Sequence, residues 1–324
     1  MENISIGGSF VLLGLREMEN YKYIYSVFSL GLYLMIMVIS SMIVYITWTE
    51  ETLHEPMYIF ICNLVLNVML GGSCFLPKLT IDLFSGCSTI SLPACIAQAF
   101  CLQSFASVEV FTFTVMAYDR YLAVSHPLRY NILMTNGKAV KSTFLIWLLV
   151  ILSRIVGSVL TVRLTLCGIN INNVYCETMS LIRLACGSTV ANDIYGTTWT
   201  LLMVIVSLSV VIYCYIRTFL ICFKITTDTS QKAVHTLVTH IMAFSIFMTT
   251  TLFVGFRLFY KGEENVTAPV GAVPLRSYLL QGQPLCVPLW NAEAARLPDL
   301  GGVSSTVEHG SRLLRSKPYS IRQA

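Results

Sequence analysis

Met116-Ala117-Tyr118-Asp119-Arg120-Tyr121-Leu122-Ala123-Val124-Ser125-His126-Pro127-Leu128-Arg129-Tyr130 is the stretch on which the reading of this chain turns. A long apolar run ends there in an adjacent acid and base, and a proline follows six residues after Tyr121. Physically this is the mouth of a membrane helix. The helix leaves the hydrocarbon at Asp119-Arg120, and Pro127, which has no N–H to donate, stops it. A snorkelling arginine at an ordinary helix end accounts for Arg120 alone.

The rest of the chain suits the same solvent. Charged residues make up 12% of its 324 residues, about half the share usual in soluble domains. Hydrophobic residues reach 55%, and the mean hydropathy is +0.70. A net charge of +4, scattered along the chain, does not fit nucleic acid. The eleven cysteines include no C-x-x-C pair and no zinc-like spacing, so no metal or other cofactor is expected. H-E-x-x-H, G-x-S-x-G and P-loop patterns are missing and the five histidines are scattered, which argues against an enzyme.

Six charge-poor stretches are expected to span the bilayer, at about 23–48, 57–78, 95–118, 142–162, 194–217 and 233–260. Pro56 suits the first turn of the second. The apolar piece Phe10-Val11-Leu12-Leu13 lacks the basic flank of a cleavable signal peptide, so the first span is expected to act as its own targeting signal. A sequon at Asn3-Ile4-Ser5 places residues 1–22 outside the cell and makes Asn3 a glycosylation candidate. Asp119-Arg120 then faces the cytosol. Cys95 and the 163–193 loop, with Cys167, Cys176 and Cys186, face an oxidising exterior. The second and third inner loops carry Arg129, Lys138, Lys141, Arg217, Lys224 and Lys232, but the first has no Lys or Arg, so positive-inside counting helps little.

Leu53-His54-Glu55-Pro56-Met57-Tyr58 and the Met116–Tyr130 stretch together resemble the LHxPMY and MAYDRYxAIxHPLxY signatures of odorant (olfactory) receptors, within the rhodopsin-like G-protein-coupled receptors. The resemblance covers about residues 10 to 260. It implies an all-α membrane protein, a rhodopsin-like helical bundle, in the plasma membrane with its N-terminus extracellular. Such a protein binds a small organic ligand in its outer half and activates a heterotrimeric G protein inside. Six transmembrane helices are clear and the seventh is left open. Family members continue into a seventh helix with an NPxxY-like end, whereas residues 261–324 turn Pro-, Gly- and Arg-rich and read as an atypical, poorly ordered tail. Its longest charge-free piece, Ser277 to Ala292, holds Pro284 and Pro288 and would make a poor span.

The resemblance also assigns roles. It implies a Cys95–Cys176 disulfide from the third helix to the second outer loop, and Cys167–Cys186 within that loop. For G-protein coupling it points to Asp119, Arg120, Tyr121 and Tyr215. Asp119 would hold Arg120 by charge pairing at rest. Tyr215 lies in Tyr213-Cys214-Tyr215-Ile216-Arg217, which resembles the family's SYIxI. Lys232-Ala233 and Thr239-His240 resemble the start of helix six, with Leu237 where a cysteine is usual. By helix face, Gln103, Ala106, Ser107, Trp199, Met203 and Thr251 point toward a common interior, the family's odorant pocket. The same positions also suit plain packing of the bundle.

Charges inside membrane helices are costly and are functional candidates by default. Three occur: Glu109, Arg154 and Arg257. Arg257 is close enough to a helix end to snorkel. Arg154 has no partner that the sequence reveals, and packing or lipid headgroups stand beside function for it. Glu109 lies eleven residues before Arg120, roughly 16 Å along the helix and mid-membrane. It is similar to the family's buried Glu that joins a helix-two Asp in binding sodium, but Asn67 stands where that Asp is expected. Two readings stay open: a sodium ligand, or a protonated Glu109 hydrogen-bonded to Asn67.

Two other classes compete. A transporter or channel should show internal repeats or several buried charges, and neither is found. A non-signalling, truncated or misjoined receptor product lacking a proper seventh helix would also give this tail.

Overall fold

A computed structural model of the chain describes residues 9–50 and 54–222, and from a later helix Met242, Phe244, Ser245, Met248 and Thr249. The rest of the expected sixth span lies outside the described residues, as do the Asn3 sequon, Thr251, Arg257 and the tail after Tyr260. Among the described residues five helices are long and apolar enough to cross a membrane. They are α1 (Lys22–Thr49), α2 (Pro56–Ser85), α3 (Leu92–Ser125), α4 (Asn136–Val162) and α5 (Val190–Cys222).

The helices outrun the hydropathy pattern where polar groups find local partners. α2 was expected to end near Lys78. It continues because Lys78 pairs with Asp82 one turn on, so two charges at i and i+4 answer each other. Lys78 Nζ also donates to the Thr89 carbonyl at 2.9 Å. The helix stops at Gly86, whose φ of +69° is the left-handed cap conformation that glycine adopts without strain. α3 begins before Cys95, with Pro93 in its first turn, and ends just before Pro127. α4 starts earlier than its apolar run because the Thr135 hydroxyl caps it, accepting from the Lys138 N–H at 3.3 Å. At the head of α5 the Thr189 hydroxyl donates to Asp193 at 2.8 Å.

Burial ranks the helices. Of the most apolar window, 61% is buried in α2 and 67% in α3, against 17%, 22% and 28% in α1, α4 and α5. α2 and α3 are therefore the inner pair, and the others are mostly exposed. α1 meets α2 through small polar residues, the pattern of close-packed membrane helices. Ser26 and Ser29 donate to the Thr80 and Leu76 carbonyls at 3.2 and 3.4 Å, and Thr80 donates to Ser29 at 3.0 Å. Phe60, Phe75, Phe105, Val108 and Met116 fill the centre.

At the Cys95 end, residues 9–21 ahead of α1 are folded. β1 (Ser9–Leu12) is the middle strand of a three-stranded sheet. It runs antiparallel to β2 (Thr89–Ser91) and parallel to β3 (Asn170–Ile171), with Phe10 opposite Ile90 and Leu12 opposite Ile171. A 3-10 turn, Leu13–Tyr21, leads into α1, and Phe10, Leu12, Leu15 and Met18 are buried. Gly14 allows this: a Cβ there would lie 2.6 Å from the Asn173 backbone. Two disulfides tie the same end. Cys95 is bonded to Cys176 and Cys167 to Cys186, with Cα separations of 5.2 and 5.8 Å. The Cys176 N–H donates to the Gln98 side chain at 2.8 Å, fixing the loop over α3.

Candidate ligand site and signalling end

α3 carries polar groups on opposed faces, and helical periodicity sets their directions. Gln103 and Ser107 are one turn apart and share a face toward α4 and α5, whereas Glu109, two residues on, points to α2. On the α2 side, Asn67 Nδ2 donates to Glu109 Oε1 at 3.1 Å and to the Phe105 carbonyl at 3.0 Å. Both side chains are buried. The amide nitrogen, not its oxygen, faces the carboxylate. The pair as arranged therefore offers a cation a single carboxylate, and among the described residues no three His, Cys, Asp or Glu groups gather to hold a metal. The Asn67 Oδ1 beside that carboxylate is buried without a hydrogen-bond partner among the described residues. Nearby, Asn63 joins three helices: its Nδ2 donates to Thr112 and its Oδ1 accepts from Trp147 Nε1, both at 2.8 Å.

On the other face stands Arg154 of α4, for which the sequence revealed no partner. Its guanidinium donates to Gln103 Oε1 at 3.0 Å and to Ser107 Oγ at 2.6 Å. It also lies over the indole of Trp199 on α5, 5.8 Å from the ring centroid. Tyr195, one turn before Trp199, donates to the Ser153 carbonyl at 2.6 Å and closes α5 onto α4. Phe111 meets Trp199 edge to face at 6.5 Å, and Met203 is buried one turn further along α5. Three of the expected pocket residues, Gln103, Ser107 and Trp199, are thus gathered around one cation, with Met203 below. Ala106 is set apart: it packs against the cluster of Phe75, Leu102 and Phe105. Thr251 lies outside the described residues. Arg154 joins these residues, and the signal that could have found it was its depth in the span, shared with two acceptors spaced at i and i+4 on α3.

At the other end of α3, the expected Asp119–Arg120 ion pair is replaced by a different contact. Asp119 is buried and accepts from the Tyr130 hydroxyl at 2.9 Å. The reason is geometric, because adjacent residues on a helix diverge and do not face each other. Burial, and then the neighbouring Asp119 carboxylate, push the Tyr130 hydroxyl above its ordinary pKa, so it stays a donor. Arg120 instead contacts the Met57 sulfur of α2. Tyr121 stacks edge-on against Tyr213 of α5 at 6.0 Å, and Tyr215 is buried beside that helix's contact with α3. Further in, Phe113 meets Phe244 of the later helix at 6.1 Å.

Known proteins resemble the chain over most of its length. The family model described as olfactory receptor matches residues 28–288. The match runs past Tyr260, where the quoted motifs had placed the limit of resemblance. Human olfactory receptor 10A6 is 31% identical over 251 residues, covering 77% of this chain and 80% of that receptor. Human olfactory receptor 1C1 is 30% identical over 256 residues (78% and 82%), and mouse olfactory receptor 5B21 is 33% identical over 261 residues (78% and 80%).

Proposed function

This chain belongs to the olfactory receptor family, and on that premise we propose how its residues divide the work of an odorant-binding, G-protein-coupled receptor. It is a multi-pass membrane protein and not an enzyme. The N-terminus, with Asn3, faces outside at the plasma membrane, so the β1–β3 sheet and both disulfides cap the outer end. A small organic odorant binds among Gln103, Ser107, Trp199 and Met203, with Thr251 and Ala106 nearby. Asp119, Arg120, Tyr121 and Tyr215 engage the heterotrimeric G protein in the cytosol. Glu109 and Asn67 hold α3 to α2.

The observation that carries this reading is that one helix, α3, bears both sites. Its outer half presents Gln103 and Ser107 toward α4, and its inner end sets Arg120 against the Met57 thioether. A ligand that shifts α3 relative to α4 and α5 shifts Arg120 with it. The guanidinium, with its five donors, is then available to the carbonyls of a G-protein tail. Arg120→Ala should abolish odorant-evoked cAMP in cells at matched surface expression. Unchanged signalling at matched surface levels would remove Arg120 from the coupling role.

Residues 261–324 are proposed to form an extracellular tail, because Pro284 and Pro288 strip donors from its one charge-free piece. An epitope fused at Ala324 should stain intact cells. Staining that needs permeabilisation would establish a seventh span.

A further inference from the structure

We infer that Arg154 is an anchor for the carboxylate of an organic acid, so that the ligand this receptor binds best is a small carboxylic acid with an apolar tail. The inference rests on reading the Gln103–Ser107–Trp199 region as the odorant pocket, and it names the chemical class that pocket takes.

Arg154 is half-buried on α4 with its Nε enclosed, about 12 Å along the helix from Val162 and within the apolar span. A guanidinium there keeps its charge and its five N–H donors, and it is stable only with acceptors and a countercharge. Among the described residues it finds too few of both. Two acceptors reach it, Gln103 Oε1 and Ser107 Oγ, and both are neutral. Its Nε–H is buried with no hydrogen-bond partner. So is the Nε1–H of Trp199, the side chain lying against the guanidinium. Two facing side chains thus each hold a buried donor with nothing to accept it.

Among the described residues no carboxylate fills the gap. Among the described residues the one ion pair is Lys78–Asp82, in α2. Glu109 is turned the other way, to Asn67, while Asp193 and Glu177 accept from Thr189 and from Asn173 and Ser180. The stretch 233–260 that supplies the next helix contains no Asp or Glu at all. A single negative charge is therefore missing beside a planar fork that binds carboxylates through two parallel hydrogen bonds. The surroundings set the rest of the ligand. Phe111, Met203 and the Trp199 ring are apolar, which suits a hydrocarbon tail, and one cation balances a monoanion but not a phosphate dianion.

The test uses full-length receptor purified in detergent, with hexanoate as the probe and 1-hexanol, methyl hexanoate and sodium chloride at equal concentration as controls. Hexanoate should raise the melting temperature of the wild type and the controls should not. Arg154→Gln should weaken hexanoate binding about 10- to 100-fold, the scale of one charge-assisted hydrogen bond. Arg154→Lys keeps the charge but loses the fork, and should cost about tenfold. Trp199→Phe keeps the ring and removes one donor, and should cost about threefold. These two milder variants carry the test should Arg154→Gln fail to fold. Stabilisation by hexanol or chloride equal to that by hexanoate overturns the inference, as does hexanoate binding that Arg154→Lys and Trp199→Phe leave unchanged. A cAMP assay on the same variants separates the two readings. Responses to neutral odorants without any hexanoate shift defeat the carboxylate site and leave the receptor standing. Arg154-dependent hexanoate binding that evokes no cAMP supports the site and defeats the signalling role.

Discussion

Glu109 and Arg154 lie on opposite sides of α3, and they are treated differently. Glu109 faces α2 and receives an amide donor from Asn67, whose other N–H is held by the Phe105 carbonyl. Arg154 faces α3 and α5 and is met by two neutral oxygens and an aromatic face, with a buried Nε–H left over. The first charge receives a donor from the protein, although the Asn67 Oδ1 beside it is left without a partner among the described residues. The second is answered in part, and the part missing has a definite chemistry: one acceptor with a negative charge. A buried polar group with its partners in place specifies how helices pack, whereas one left short marks where something else is to bind.

Three substitutions probe the contrast, from the largest effect to the smallest. Asn67→Leu removes the donor to Glu109 and leaves a carboxylate buried without its partner. It should destabilise the ligand-free receptor by about 1–3 kcal/mol, read by thermal unfolding of purified protein. Trp147→Phe deletes the indole donor to Asn63, a partnered bond linking α4 to α2, and should cost about 0.5–1.5 kcal/mol in the same assay. Trp199→Phe makes the identical change where the indole N–H has no acceptor, and should leave ligand-free stability within about 0.5 kcal/mol. Equal losses at Trp147 and Trp199 would erase the distinction between the two sides of α3.

The first five expected spans fall on helices because they follow from apolar length and proline placement, although α3 runs past its expected limits at both ends. What could not be read depends on which surfaces meet. Ser9–Leu12 is too short to show a strand's alternation, and its partners, Thr89–Ser91 and Asn170–Ile171, are shorter still. The sheet exists because disulfides and helix ends gather the three pieces. Asp119 and Arg120, adjacent in sequence, suggested a pair, but the helix turns them apart and gives Asp119 to Tyr130. α2 passed Lys78 because Asp82, one turn on, neutralises it, a pairing visible in the sequence once spacing is weighed beside hydropathy. Arg154, Gln103 and Ser107 were each singled out, but no local pattern says that α4 docks with Arg154 against that face of α3.

The most direct measurement is the melting temperature of ligand-free receptor carrying Arg154→Met, set beside Asn67→Leu. A guanidinium short of a countercharge costs more to bury than its neutral contacts return, so an apolar side chain of similar length relieves the bundle. The account predicts that Arg154→Met melts at or above the wild-type temperature while Asn67→Leu melts clearly below it. An Arg154→Met receptor that melts as low as Asn67→Leu would show that the protein already satisfies this charge, and would contradict the account.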